Sequence, residues 1–403
     1  MLRTPPAAGE HRAVRRLRLR LPLPVRLRMP RVAASGVVAF LLALLSSAPA
    51  PASATAEPAP APVPAAAAQG PLAQGPRTQG PSVQGSSESL TLEDPRTVAH
   101  FDFAAGQTPE NIALEPDGSA DLTFALARQV ARVDPHGNTR VLAELPAVAD
   151  PQTPLVGAAV VSGIVRTHDG TLYVAYNTGT TETGVYRITP DGTVAKFADL
   201  PPDGFANGLA LDEKHGALYA ADSVLGAVRR ISLGDASVTA WATGTALAPT
   251  TFIGANGIKV HHQAVWVSNY DRGTLLRIPV GADGSAGAIT TRADGLDGID
   301  DFAFAGRSET VLAALNPGNE LVLVRRDGTR TVLLTARDGL SGPTSVAVRR
   351  HTVYVPSASF TTEQPDPNLL IARVADAEKD GKDAKHAKDG PGRGGHGARG
   401  DRG

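Results

Sequence analysis

Residues 206–223 read ANGLALDEKHGALYAADS, and residues 254–273 read GANGIKVHHQAVWVSNYDRG. Near its start each stretch carries Asn followed by Gly, then runs through a short apolar strand, turns, and enters a second apolar strand that closes on Asp or Asn. Outward from these two, the same unit recurs. Its six inner strands open on Glu110, Ser162, Asn207, Asn256, Asp300 and Thr344, at steps of 52, 45, 49, 44 and 44 residues. A self-similar period of this length marks a repeat architecture. The turns carry Gly where a tight hairpin needs positive φ, as in Pro116-Asp117-Gly118 and His168-Asp169-Gly170. Third strands, as in GVYRITPDG from Gly184, and outer strands such as TVAKFADL from Thr193 complete the unit. Four antiparallel strands per period describe a propeller blade. The sequence therefore predicts an all-β fold, a six-bladed β-propeller of four-stranded blades. A β-sandwich does not explain the six-fold recurrence.

The sixth unit has no outer strand of its own, because the repeat ends soon after Leu369–Val374. Thr97–Phe103, ahead of the first blade, has strand character. Paired beside Leu369–Val374 it closes the ring and leaves no free edge. The folded domain is accordingly placed at residues 97–375.

Outside that domain the composition changes. Arg26, Arg28 and Arg31 precede an apolar run, Val32–Leu45, too short to span a bilayer comfortably, and Ala52-Ser53-Ala54 follows as a small-x-small cleavage pattern. Residues 1–54 therefore read as an export signal region, with Met29 as a possible true start, and the mature protein is expected to be secreted with no stable membrane span. Residues 55–96 are a Pro/Ala/Gln/Gly spacer and residues 376–403 a charged, Gly-rich tail, neither able to bury enough apolar surface to fold. The net charge of −1 gives no reason to expect a nucleic-acid partner. There is no cysteine, so no disulfide framework, and aromatics are only 4% of residues. The core must be built from Val, Leu, Ile and Ala. A monomer is expected.

In a propeller the inner strands line the central channel, so equivalent positions converge on the axis. All six opening residues carry oxygen. Glu110, Asn207, Asn256 and Asp300 are good ligands for a hard cation, and the absence of His and Cys argues against zinc and copper. Two carboxylates and two amide oxygens suit Ca²⁺ best and Mg²⁺ second. Two facing buried carboxylates would be costly without such a cation.

The order Glu, Asn, Asn, Asp in blades one, three, four and five resembles the calcium-dependent propellers of the senescence-marker, gluconolactonase and luciferin-regenerating family, and the metal site of diisopropyl-fluorophosphatase. The resemblance covers Phe101 to Val374 and rests on the two stretches quoted above and on TPENIALEPDG from Thr108. It implies that the four residues hold a catalytic Ca²⁺ and that Asp300 is the general base or nucleophile. The chain departs from the family in four places, one being that blade six offers Thr344 rather than a His. Glu110 is followed by Asn-Ile-Ala rather than Gly-Pro and a Trp. The fifth-blade ligand lies in Ile299-Asp300-Asp301, so either Asp is available. Phe205 stands where gluconolactonases carry an Arg for a sugar acid.

Around that centre, Ser162, Thr344, Phe205, Asn177, Asn269 and Tyr270 are candidates for binding a small-molecule substrate or ligand. Asn177, Asp222, Asn269 and Asn316 end second strands near one mouth, where they either shape a pocket or cap loops. No P-loop, dinucleotide fingerprint or Gly-x-Ser-x-Gly elbow is present. The function expected is a secreted calcium-dependent hydrolase of lactones or related esters. The alternative is a non-catalytic extracellular propeller that binds a ligand, which the missing sugar-acid Arg favours.

Overall fold

The computed structural model describes residues 90–375. The expected export signal, nearly all of the spacer and the C-terminal tail lie outside the described residues. Among the described residues no helix is long and apolar enough to cross a membrane.

Strand β1 (Leu92–His100) comes first and is followed by four strands in a row, β2 (Pro109–Leu114), β3 (Ala120–Phe124), β4 (Gln129–Val133) and β5 (Thr139–Glu144), which form blade one. Blade two is β6 (Val160–Arg166), β7 (Leu172–Asn177), β8 (Gly184–Ile188) and β9 (Val194–Asp199). Blade three is β10 (Ala206–Asp212), β11 (Ala217–Asp222), β12 (Ala227–Ser232) and β13 (Val238–Thr243). Blade four is β14 (Ala255–His261), β15 (Ala264–Asn269), β16 (Thr274–Pro279) and β17 (Thr290–Ala293). Blade five is β18 (Ile299–Phe304), β19 (Val311–Leu315), β20 (Glu320–Val324) and β21 (Arg330–Leu334). Blade six contributes β22 (Ala347–Arg349), β23 (Thr352–Ser357) and β24 (Asn368–Val374), and its fourth strand is β1.

The ring is therefore closed as the sequence predicts, by antiparallel pairing of Thr97 with Leu370 and of His100 with Asn368. The closing strand begins at Leu92 rather than Thr97. Two register shifts, between Glu93 and Arg96 and between Thr97 and Ala99, let it continue the ladder, and Leu90 and Leu92 pack on the apolar cluster of blades five and six. It also stops at His100, because Asp102 caps a short 3₁₀ turn, Phe103–Ala105, through bonds from the Ala104 and Ala105 amides.

The core lies between blades. Val130, Ala143 and Leu145 of the first blade and its exit meet Val161, Ile164, Val174 and Tyr176 of the second. Ala210, Tyr219 and Val228 of the third meet Ile258, Val265 and Val267 of the fourth. Burial on both faces of each sheet explains why the second strands read as nearly continuous apolar runs.

The heads of the inner strands share a local irregularity. In blade one Pro109 faces Phe124 and Ile112 faces Leu122, so three steps on β2 match two on β3. The same extra residue occurs in blades two, three, four and five. This is a β-bulge, which breaks the in–out alternation of a strand. It falls on Glu110-Asn111, Ser162-Gly163, Asn207-Gly208, Asn256-Gly257 and Asp300-Asp301. In blades two, three and four the second residue of the pair is Gly, and it meets the inner strand of the next blade. A Cβ on Gly257 would stand 2.4 Å from Asp301 Oδ1 and 2.8 Å from the Asp300 carbonyl oxygen, and one on Gly208 would stand 2.7 Å from the Asn256 carbonyl oxygen. Only Gly permits that approach of backbones.

Candidate metal centre at the propeller axis

The bulges are tied together by a ring of hydroxyl bonds. Thr123 Oγ1 donates to the Ser162 carbonyl (2.6 Å), Ser162 Oγ to Ala206 (2.7 Å), Ser223 Oγ to Ala255 (2.8 Å), Ser268 Oγ to Asp300 (2.6 Å), and Thr344 Oγ1 to Pro109 (2.7 Å). Each bond joins one blade to the head of the next inner strand. The junction from blade five to blade six differs, for there Ser345 Oγ donates to the Asp301 carboxylate at 2.9 Å.

This ring holds up one cavity of about 90 Å³. Glu110, Asn207, Asn256 and Asp300, the four residues expected to converge, all line it, together with Asn316. Its other walls are apolar, chiefly Leu126, Leu155, Val156, Phe205, Phe252 and Phe360, with Tyr270 beside them. These come from the connections at one mouth of the ring, so the polar residues form the inner end and the apolar loops the sides.

The polar end is built tightly. Asn256 Nδ2 donates to Asp300 Oδ1 at 3.0 Å and Asn316 Nδ2 to Asp300 Oδ2 at 3.3 Å, so both oxygens of Asp300 are oriented. Burial pushes the Glu110 carboxyl up to about 8, helped by the charge of Asp301. Burial also raises Asp300 well above the usual carboxylate range, with Glu110 and then Asp301 adding to it, against the two amide bonds. The Tyr270 hydroxyl is raised too, by burial first and Asp300 second.

Whether a hard cation suits this end can be judged from its loose atoms. Glu110 Oε2 and Asn256 Oδ1 are buried oxygens with no hydrogen-bond partner among the described residues. A buried acceptor without a donor is costly. Two such atoms at the inner end of one cavity, beside a second carboxylate, fit a divalent cation with oxygen ligands. Among the described residues no three His, Cys, Asp or Glu side chains gather as a cation-binding group. The set on the axis is two carboxylates and two amides.

Asp301 is not part of that set, and it does not point away from the axis as strand alternation would require. The bulge carries it inward. Asn111 Nδ2 of blade one donates to Asp301 Oδ2 at 3.1 Å, and Lys259 Nζ of blade four donates to Oδ1 at 2.7 Å and to Oδ2 at 2.5 Å. Only 2% of Asp301 is exposed. One carboxylate thus gathers blades one, four, five and six beneath the cavity. Sequence reasoning missed this hub, although a signal existed. Lys259 occupies the fourth place of its inner strand, where the other five blades have Ala113, Val165, Ala210, Ala303 and Ala347.

The remaining candidates separate into two groups. Phe205 and Tyr270 line the cavity. Ser162, Thr344, Asn177 and Asn269 do not. Ser162 and Thr344 are junction hydroxyls, as described. Asn177 Nδ2 donates to Ser162 Oγ at 3.1 Å and to the Ala206 carbonyl at 2.9 Å, and its Oδ1 accepts the Ala206 amide. Asn269 holds the loop carbonyls of Ala246 and Ala248. Their polar groups face the neighbouring backbone rather than the axis. Asn316, which the sequence left undecided between pocket and loop cap, is the one second-strand Asn that reaches Asp300.

Comparison with known proteins gives the fold. No protein-family model matches the chain. No curated protein matches it. Solved structures do. A calcium-binding protein, regucalcin, from Agrobacterium tumefaciens superposes with a TM-score of 0.53 at 16% identity, over 70% of this chain and 93% of that one. A gluconolactonase from Xanthomonas campestris gives 0.51 at 14%, over 74% and 99%. The PQQ-bound aldose sugar dehydrogenase from Streptomyces coelicolor gives 0.51 at 17%, over 71% and 98%. At such identities the likeness is one of fold, and the site must speak for the chemistry.

Proposed function

We propose that this propeller is a metal-dependent hydrolase of small lactones or related esters, acting in the cavity at its axis, with Ca²⁺ the preferred cation and Mg²⁺ second. The observation that carries the reading is the pair of unpartnered buried oxygens, Glu110 Oε2 and Asn256 Oδ1, at the polar end of a cavity with apolar walls. Glu110, Asn207, Asn256 and Asp300 would hold the cation. When bound, it would polarise an acyl oxygen and balance the two carboxylates.

The chain's own residues do the rest. Asn256 and Asn316 fix both oxygens of Asp300, so its carboxylate is held in one orientation. Its raised proton affinity makes it, once ionised, a stronger base than a surface aspartate. Asp300 takes the proton of the attacking water, the acyl C–O bond of the ring or ester breaks, and the proton passes to the departing alkoxide. The product of a lactone is then a hydroxy acid. Phe205, Phe252 and Phe360 exclude bulk water and cover the apolar part of the substrate.

Those walls bear on the substrate class. Among the described residues no cationic side chain lines the cavity. A polyhydroxylated sugar acid would leave its hydroxyls facing Phe and Leu unbonded, which is costly. Apolar lactones and aryl or alkyl esters fit instead.

The test is hydrolysis by metal-stripped protein of apolar lactones, sugar lactones and organophosphate esters, with and without added Ca²⁺. Calcium-dependent turnover of the apolar lactones is expected. Tight Ca²⁺ binding with no turnover of any of these would favour the second reading, a ligand-binding propeller. That reading draws on the apolar walls, which serve a binding pocket equally well. Export of the protein belongs to the same proposal and rests on Val32–Leu45 and Ala52-Ser53-Ala54. N-terminal sequencing of secreted material should find a start near Thr55.

A further inference from the structure

Three buried carboxylates stand near one another on the axis. Glu110 and Asp300 line the cavity, and Asp301 lies beyond it with its charge reaching both. Their exposures are 9%, 7% and 2%. One ammonium faces them, Lys259, bonded to both oxygens of Asp301. Lys259 also lines a second cavity of about 410 Å³ that runs between the lower halves of the inner strands. It therefore stands between the two cavities, on the far side of Asp301. With all four groups ionised, the cluster keeps two negative charges.

We infer that Lys259 sets the charge selectivity of the axial site, matching it to a divalent cation by cancelling Asp301. This rests on the metal reading proposed above, but it is a separate claim about which cation is preferred and why. Five of the six blades place Ala or Val where blade four places Lys259, so packing alone does not call for a charge there. Asp301 could have been balanced by hydrogen bonds from Asn111 and Ser345 without a cation. A site with three uncompensated negative charges would favour a trivalent ion, since each added unit of charge is felt more strongly by the ion of higher valence.

The experiment is titration of metal-stripped protein with Ca²⁺ and, separately, with Tb³⁺, followed by calorimetry and Tb³⁺ luminescence. The quantity read is the ratio of the two affinities. Relative to the unmodified chain, Lys259→Met should raise the Tb³⁺ preference by about tenfold or more. Asp301→Asn, which leaves Lys259 uncancelled, should lower it and weaken Ca²⁺ binding. The double variant Lys259→Met/Asp301→Asn removes both charges and should return the ratio to that of the unmodified chain. If Lys259→Met fails to fold, a lowered ratio in Asp301→Asn that the double variant restores to the unmodified value still decides. Binding by the unmodified chain with a ratio that is the same in all variants overturns this inference alone. Absence of any Ca²⁺ or Tb³⁺ binding by the unmodified chain overturns the metal reading, and this one with it.

Discussion

Asn256 donates its amide to Asp300 Oδ1 at 3.0 Å, and its own Oδ1 is left buried without a partner among the described residues. One side chain thus orients the proposed base and offers an oxygen to the cavity. Asn256→Ala should remove both effects. Calcium affinity should fall about 10–100-fold, as when an orienting or ligating group is lost. The metal-free melting temperature should change little. Calorimetry and melting in chelator check the two halves.

Asp300→Asn keeps an oxygen at the same place but loses charge and basicity. Hydrolysis should therefore fall much further than binding, by about 100-fold or more in kcat. Equal losses in the two would show that Asp300 only holds the cation.

The pH dependence of the metal-free protein follows from Glu110. Its carboxyl is raised from 4.5 to about 8 by burial and by Asp301. The folded state therefore holds the proton more tightly than the unfolded chain. The resulting stability is fully present below pH 4.5 and is lost as pH rises through about 8. Melting in chelator should fall steadily across that window. Ca²⁺ competes with the same proton, so its affinity should rise with pH by up to about tenfold per unit over the same range. Saturating Ca²⁺ should thus flatten the fall of the melting temperature over this window, because Glu110 is then unprotonated in both the folded and the unfolded chain.

The Asp301 hub predicts a stability loss where strand alternation would have predicted none. Asp301→Ala strands Lys259 and removes the acceptor of Asn111 and Ser345. Breaking a fully buried pair costs about 3–5 kcal/mol, and because Lys259 keeps some access to water the loss here should be about 2–3 kcal/mol. Chemical denaturation of the two proteins measures it. A loss below about 0.5 kcal/mol would mean that the hub does not hold the blades.

Removing residues 1–89 should leave the melting temperature unchanged, whereas removing residues 1–103 should lower it sharply, since blade six then loses β1 and exposes β24 as an edge. Equal melting of the two truncations would contradict the closure.

The ring was legible because a period of 44 to 52 residues admits few other folds and because the sixth unit visibly lacks a strand. The four axial residues were legible as equivalent places in that period. The bulge was not. A strand read by alternation sends Asp300 and Asp301 to opposite faces, and the extra residue turns both inward. Its trace was the Gly after Ser162, Asn207 and Asn256, present because backbones nearly touch there, and replaced by Asn111, Asp301 and Ser345 where the hub needs side chains. Ser162 and Thr344 misled for a related reason. Sequence shows an oxygen at the axial place, but not whether it faces the axis or the carbonyl of the next blade.

His100 and Asp366, bonded at 2.7 Å beside the closing ladder, are 266 residues apart along the chain. The strand made first during synthesis must wait for the strand made last. Until Leu369–Val374 arrives, blade six lacks both of the strands that complete it, and the first and last blades remain open flanks. Bringing such distant segments together is slow compared with forming a hairpin. In that interval β1 can pair with the β24 of another molecule as readily as with its own. Concentration during refolding, more than any single contact, should then decide between closed rings and exchanged, tangled chains.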